Sequence, residues 1–256
     1  MIADGKKLSE SCMRWIREWF DENAPQGNAV IGMSGGKDST IAAALCAKAL
    51  GPQRVIGVAM PSEGQSLNEA DKICEYLGIR YFCLPIGDIL KEYSALATLM
   101  PEGIFSPQTV QNVPPRVRMT LLYAVAQTLG GMVANTCNLS EDYIGYATIF
   151  GDAAGSFSPL GKLVVREIRA IGHSLGLPSE WVDKIPDDGL PNSTSDEKKF
   201  GFTYDVLDRY IREGVCEDGA IKEKIDSMHR RNLFKTEILH IPSFDPSEIL
   251  KEQTDA

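Results

Sequence analysis

The run Asn28-Ala29-Val30-Ile31-Gly32-Met33-Ser34-Gly35-Gly36-Lys37-Asp38-Ser39-Thr40 decides the fold. Its first part, residues 28–33, is short and apolar and reads as a strand. Residues 40–50 carry a helical pattern closed by Gly51-Pro52. The glycine turn between them suits a chain whose backbone N–H groups must approach an anion, because a Cβ would block the approach and a helix start adds partial positive charge. The string departs from the Walker A loop, since Asp38 stands where that motif needs Ser or Thr, and it does not fit G-x-G-x-x-G. A carboxylate beside a polyphosphate calls for a bridging divalent cation, so Asp38 points to Mg²⁺. Ser34 and Ser39 can donate to phosphate oxygens and Lys37 can add charge. The plain alternative is a glycine turn capped by polar side chains.

Outward from that turn, strand and helix patterns alternate. Residues 54–60 and 79–84 read as strands, 66–77 and 88–99 as helices, and 132–137 as a fourth strand after Gly130-Gly131. This alternation predicts βαβ units on a parallel sheet. Residues 101–115 read as irregular because of their prolines. Residues 116–129 read as a helix with apolar side chains on nearly every side, suited to a central place or a subunit boundary. The second half is looser, with a Gly-rich stretch at 145–161, a helix carrying Val164, Ile168, Ile171 and Leu175, and helices near 204–212 and 220–234. Residues 186–201 are polar, aperiodic and rich in turn formers, which predicts a mobile loop that closes over bound substrates. With no repeat and no Pro/Ser linker, the expectation is one domain over 1–256, with an N-terminal helix in 1–25.

Composition narrows the function. The chain of 256 residues has 26 Lys plus Arg against 35 Asp plus Glu, a formal charge of -9. Such a surface repels phosphate backbones, and no basic run exceeds two residues, so a nucleic-acid partner is not expected. Six single cysteines without C-x-x-C or ligand-spaced His predict neither a zinc site nor a redox pair. Cys46 and Cys74 fall on apolar helix stripes and read as core residues. No signal-like apolar start and no membrane-length apolar run appear, so a cytoplasmic setting without membrane contact is expected.

The phosphate-loop string resembles that of the ATP pyrophosphatases, which cleave ATP between its α- and β-phosphates. Within that superfamily, Gln111-Asn112-Val113-Pro114-Pro115-Arg116-Val117-Arg118-Met119 resembles a signature of the NAD synthetases. So do Asn135-Thr136-Cys137-Asn138-Leu139-Ser140-Glu141, Phe150-Gly151-Asp152 and Gly201-Phe202-Thr203-Tyr204, in the same order. The resemblance implies a doubly wound, Rossmann-like sheet of about five strands, of the adenine nucleotide alpha hydrolase kind, with added C-terminal helices. It implies amidation of deamido-NAD⁺ by free ammonia, through an adenylated intermediate, in a homodimer. Gly32, Met33, Ser34, Gly35, Gly36, Lys37, Asp38, Ser39 and Thr136 would then bind ATP. Asp38 and Glu141 would be the catalytic acids and the Mg²⁺ ligands, and Arg116, Asn112, Asp152 and Lys235 would meet deamido-NAD⁺. Two lysines common in that family are replaced here by Ile149 and Val165, and Lys37, Lys162 and Arg166 are the cations available to compensate. A different acceptor, or a subunit that holds ATP without turnover, are the readings set against this one. The two acids argue against the second, since a mere binder of anions is better without them.

Overall fold

The computed structural model describes residues 4–64, 68–184, 195–238 and 241–252. Its centre is a parallel sheet of four strands, β1 (Asn28–Gly32), β2 (Val55–Ala59), β3 (Arg80–Cys83) and β4 (Gly131–Val133), in the order β3-β2-β1-β4. The chain winds outward from β1 through β2 to β3, then returns to place β4 on the other side of β1. Reversal of winding leaves a crevice beyond the C-terminal ends of β1 and β4, where open α/β sheets bind ligands.

Alternation along the strands builds a core on each face. Ala29, Ile31, Met33, Val55 and Ala59 pack with α1 (Gly5–Asn23), α2 (Lys37–Leu50) and α3 (Asn68–Leu77). Val30, Ile56, Val58, Met60 and Val133 face the opposite way, toward α5 (Pro107–Thr128). Between α3 and α5 run β3, α4 (Gly87–Leu96) and a 3-10 turn, Ala97–Leu99. The side chains at successive strand positions leave on opposite faces, which is why both cores draw on the same strands. Cys46 and Cys74 lie in the first core, as their helical stripes imply.

A third cluster holds the C-terminal additions together. Ile144 of α6 (Leu139–Ile144) and Val165 of α7 (Val165–Ser174) pack with Phe200, Phe202, Tyr204, Leu207 and Ile225. These come from α9 (Asp196–Phe200), α10 (Tyr204–Glu213) and α11 (Gly219–Ile238). The remaining helices are α8 (Ser179–Val182), on the first core, and α12 (Ser247–Glu252).

Several boundaries differ from the sequence reading. The stretch 101–115 is not wholly irregular: α5 begins at Pro107, with Ser106 accepting from Thr109 N at 3.2 Å as its cap, and runs through Pro114 and Pro115. Proline is tolerated at a helix start, while further in it removes its own donor and crowds the carbonyl four residues back, a penalty that side-chain burial outweighs here. Val117, Met119, Leu122 and Ala126 supply that burial. The fourth strand is shorter than 132–137, continuing only as a bridge between Ala134 and Phe157, and four strands are seen among the described residues where about five are expected. Residues 185–194, most of the loop expected at 186–201, lie outside the described residues, and Asp196–Phe200 is helical.

Gly57 sits at the heart of β2, where an added Cβ would lie 2.6 Å from Cys74 Sγ and 2.9 Å from Met33 Cγ. Gly57→Val is therefore expected to lower the unfolding free energy by about 1–3 kcal/mol through overpacking, read as a drop in urea midpoint. An unchanged midpoint would mean the two core layers are looser than drawn.

Candidate active site

The phosphate-loop candidates sit between β1 and α2. Gly35 has φ +77°, a left-handed conformation that glycine adopts without strain, and a Cβ there would press on Glu69. Gly36 caps α2 with no side chain of its own, while Thr40 Oγ1 and Ser39 Oγ donate to its carbonyl at 2.8 and 3.2 Å. The first intrahelical bond runs from Thr40 N to Gly36 O, so the N–H groups of Lys37, Asp38 and Ser39 precede the ladder. Ser34 Oγ stands 3.2 Å from Ser39 Oγ and accepts from Gly36 N, folding the turn back on the helix start. Such a start attracts anions through its free donors and its dipole.

Asp38 and Glu141 come to the same place from opposite sides of the switch point. Asp38 follows β1 on the first turn of α2, and Glu141 follows β4 on the first turn of α6. Asn138 Oδ1 accepts from Glu141 N at 3.0 Å while Glu141 Oε2 accepts from Asn138 N at 3.4 Å, a reciprocal cap that fixes the short helix. Burial, and next the charge of Asp38, hold the Glu141 carboxyl well above the usual carboxylate range, against the opposing pull of Lys37. The buried Lys37 Nζ donates to Asp38 Oδ2 at 2.7 Å. Burial alone would pull the Lys37 ammonium down; Asp38 and Glu141 more than offset it and hold it above the usual lysine range. Asp38 Oδ1 is buried with no partner.

Two carboxylates, one of them with an unpartnered buried oxygen, form a donor set that fits a hard divalent cation completing its shell with phosphate and water oxygens. Among the described residues no group of three or more His, Cys, Asp and Glu side chains is gathered to hold a metal alone. Thr136 is half-buried, just beyond the bridge at Ala134 and five residues before Glu141.

The other four candidates, far apart in sequence, all bear on the segment 145–152. Asn112 Oδ1 accepts from Thr148 Oγ1 at 3.1 Å, and Arg116 Nε donates to the Ile149 carbonyl at 3.1 Å. Lys235 Nζ donates to the carbonyls of Gly145 at 2.6 Å and Ala147 at 3.1 Å. Asp152 Oδ1 accepts from Thr148 N at 3.1 Å, so this side chain caps the turn. Within the segment Phe150 is exposed at φ +60°, a conformation unusual for a non-glycine residue.

Of the compensating cations suggested by sequence, two are engaged elsewhere. Lys162 pairs with Asp245 at 2.9 Å and Arg166 with Glu213 at 3.2 Å, which leaves Lys37 at the turn. The structure adds residues that the sequence did not single out. Lys184 Nζ donates to the Gly35 carbonyl at 3.0 Å and pairs with Glu69. Fully buried Asp208 accepts from Ser140 Oγ at 2.6 Å and from Arg166 N at 2.7 Å, tying the starts of α6 and α7 to α10. No local signal joins Ser140 to a residue 68 positions away.

A parallel sheet with an anion-ready helix start and paired acids at its switch point defines a nucleotide-binding α/β protein. The NAD synthase family model matches residues 8–243, and the chain belongs to that family. An NH(3)-dependent NAD(+) synthetase of Methanococcus aeolicus is 39% identical over 199 residues, covering 77% of each chain. Another, from Methanocaldococcus jannaschii, is 36% identical, covering 86% of this chain and 85% of that one. Among solved structures, an NMN synthetase from Francisella tularensis superposes with a TM-score of 0.82 at 30% identity, covering 94% of this chain and 99% of the other. An NH3-dependent NAD synthetase from Campylobacter jejuni gives 0.71 at 27% identity, covering 91% and 96%.

Next to Glu141, burial and then the charge of Asp152 push the Asp142 carboxyl up to about 7 from its usual 3.8. The folded state thus holds a proton that the unfolded chain has released, and stability falls as pH rises between those two values. Metal-free protein is expected to lose thermal stability from pH 4 to pH 7, and Asp142→Asn to flatten that slope while matching the parent at pH 4. Equal slopes in melting scans would refute the assignment.

Proposed function

We propose that this chain joins ammonia to the nicotinate carboxylate of deamido-NAD⁺, driven by cleavage of ATP to AMP and pyrophosphate. As a member of the NAD synthase family it is a ligase that uses a nucleotide co-substrate. The observation that carries the finer reading is the convergence of Asp38 and Glu141 beside the free N–H groups of α2, an arrangement suited to a metal–triphosphate.

In this reading Gly32, Met33, Ser34, Gly35, Gly36, Lys37, Ser39 and Thr136 cradle ATP, and Mg²⁺ is held by Asp38 and Glu141. Bound there, Mg²⁺ would neutralise charge on the departing pyrophosphate. The glycine turn and α2 start fix the polyphosphate, leaving the α-phosphorus open to the acceptor. A nicotinate carboxylate oxygen bonds to that phosphorus as the bond to pyrophosphate breaks, giving the acyl adenylate. The ammonia lone pair then attacks the carboxyl carbon, AMP leaves with the C–O electron pair, and the spare proton passes to solvent. Lys37, held protonated, supplies fixed positive charge throughout. Asn112, Arg116, Asp152 and Lys235 shape the acceptor site through the 145–152 segment.

Asp38→Asn is expected to lower kcat/KM by about 100-fold or more, because it removes charge opposite the leaving group, measured as AMP and pyrophosphate release with Mg²⁺, ATP, ammonia and deamido-NAD⁺. No pyrophosphate release from the parent protein under those conditions would defeat the reading. The likeness to the Francisella NMN synthetase favours a second acceptor, nicotinate mononucleotide. The same assay decides between them: about tenfold higher kcat/KM for the mononucleotide would replace the dinucleotide in this reading.

The partners are otherwise a second copy of the chain. Tyr93, Leu96, Leu99, Met100, Ile104 and Val110 are exposed on α4, the 3-10 turn, the approach to α5 and its first turn. An apolar surface of that extent supports a homodimer. Sedimentation should give a dimer that Leu99→Glu with Ile104→Glu converts to a monomer; a parent monomer at micromolar concentration would contradict it. All six cysteines are free thiols, and no helix among the described residues is long and apolar enough to cross a membrane. The thiols fit a cytoplasmic setting.

A further inference from the structure

Buried polar atoms nearly always have partners. Among the described residues four side-chain atoms do not: Asp38 Oδ1, Asn138 Nδ2, Arg169 Nε and the Tyr204 hydroxyl. Arg169 and Tyr204 flank Lys37 from two different helices. The Lys37 ammonium lies 5.8 Å from the Tyr204 ring centroid and 2.7 Å from Asp38 Oδ2, while the charge of Arg169 opposes its protonation.

Arg169 stands on α7, four residues after buried Val165 and so on the same helix face. Its neighbours on that helix are spoken for: Arg166 pairs with Glu213, and Glu167 with Arg212. Among the described residues Arg169 has no acidic partner, and its Nε is buried without a hydrogen bond. Gly172, three residues on, packs against Ile41 of α2, which keeps this face of α7 close to the phosphate turn's helix. Tyr204 opens α10 and is 2% exposed. Its N–H donates to Glu197 Oε1 at 2.9 Å and its ring meets Phe200 edge-on, which fixes the phenol. Burial, and then the charges of Glu141, Asp196 and Asp38, push that phenol up, so it keeps its proton and is available as a donor.

The free groups sort by sign. The acceptor, Asp38 Oδ1, suits a cation; the other three, the Asn138 amide and the guanidinium and phenol beside Lys37, are donors that suit anionic oxygens. A metal–polyphosphate presents both. We propose that Arg169 and Tyr204 are two further substrate-binding residues, each donating a hydrogen bond to an oxygen of the ATP polyphosphate. This rests on the ATP reading above and adds to it the helices α7 and α10, which the phosphate-loop motif does not include.

The test is calorimetric titration of the full chain with Mg²⁺–ATP, with Mg²⁺–pyrophosphate and with deamido-NAD⁺ as the nicotinate acceptor, comparing Arg169→Met, Arg169→Lys and Tyr204→Phe. Arg169→Met should weaken both ligands by about tenfold or more and Tyr204→Phe by about three- to tenfold, as expected for charged and neutral donors. Arg169→Lys should fall between Arg169→Met and the parent, and affinity for the nicotinate acceptor should hold in all three. If Arg169→Met fails to fold, the other two variants carry the test. Parent-like affinity for both ligands in Tyr204→Phe and the arginine variants overturns the proposal, as does parallel loss of acceptor binding. Failure of the parent itself to bind Mg²⁺–ATP instead overturns the ATP reading.

Discussion

Two carboxylates brought together by the winding of a sheet repel one another, and the site is arranged around that repulsion. Asp38 and Glu141 arrive from opposite sides of the β1/β4 switch point, and burial, followed by the charge of Asp38, drives the proton affinity of Glu141 upward. Lys37 relieves part of the strain, and its own charge is held in place by the same two acids. Coulomb energy grows as water is excluded, so a half-buried pair of this kind has strong consequences for whatever binds beside it. Asp38 Oδ1 still lacks a partner, an unmet acceptor that in the proposed function is met by a cation carried with the phosphate oxygens.

Around this centre the rest of the chain acts as support. The sheet's two cores fix the ends of β1 and β4, and the smaller C-terminal cluster presses α6, α7 and α10 toward the crevice. Asp208 makes that pressure specific, because one buried carboxylate binds Ser140 beside Glu141 and the first turn of α7 together. A second layer surrounds residues 145–152, where Asn112, Arg116 and Lys235 each secure a different carbonyl or hydroxyl of the same segment. Glu141 lies in the first turn of α6 and Gly145 closes it, so one short helix ties this segment to the acid.

Much of the strand order and helix placement was legible, because burial on two faces leaves apolar runs and helical stripes that local pattern exposes. The Ser34–Ser39 turn was legible too, since glycine spacing and a following helix are local features. The helix over Pro107 to Pro115 is not legible, because proline's local penalty is visible in sequence while the sheet contacts of Val117, Met119 and Leu122 that outweigh it are not. The same limit applies to Lys162 and Arg166, whose pairing with Asp245 and Glu213 joins residues far apart in the chain.

The sequence by itself determined the α/β class, the glycine turn with its acid, and the candidates on each later motif, because each of these is written in contiguous residues. Only the tertiary structure decided which of them meet. The approach of Asp38 to Glu141, the gathering of Asn112, Arg116, Asp152 and Lys235 on one segment, and the isolation of Arg169 and Tyr204 beside Lys37 all join residues far apart in the chain. Such pairings depend on strand order and helix packing, which fix distances that periodicity along the chain does not encode.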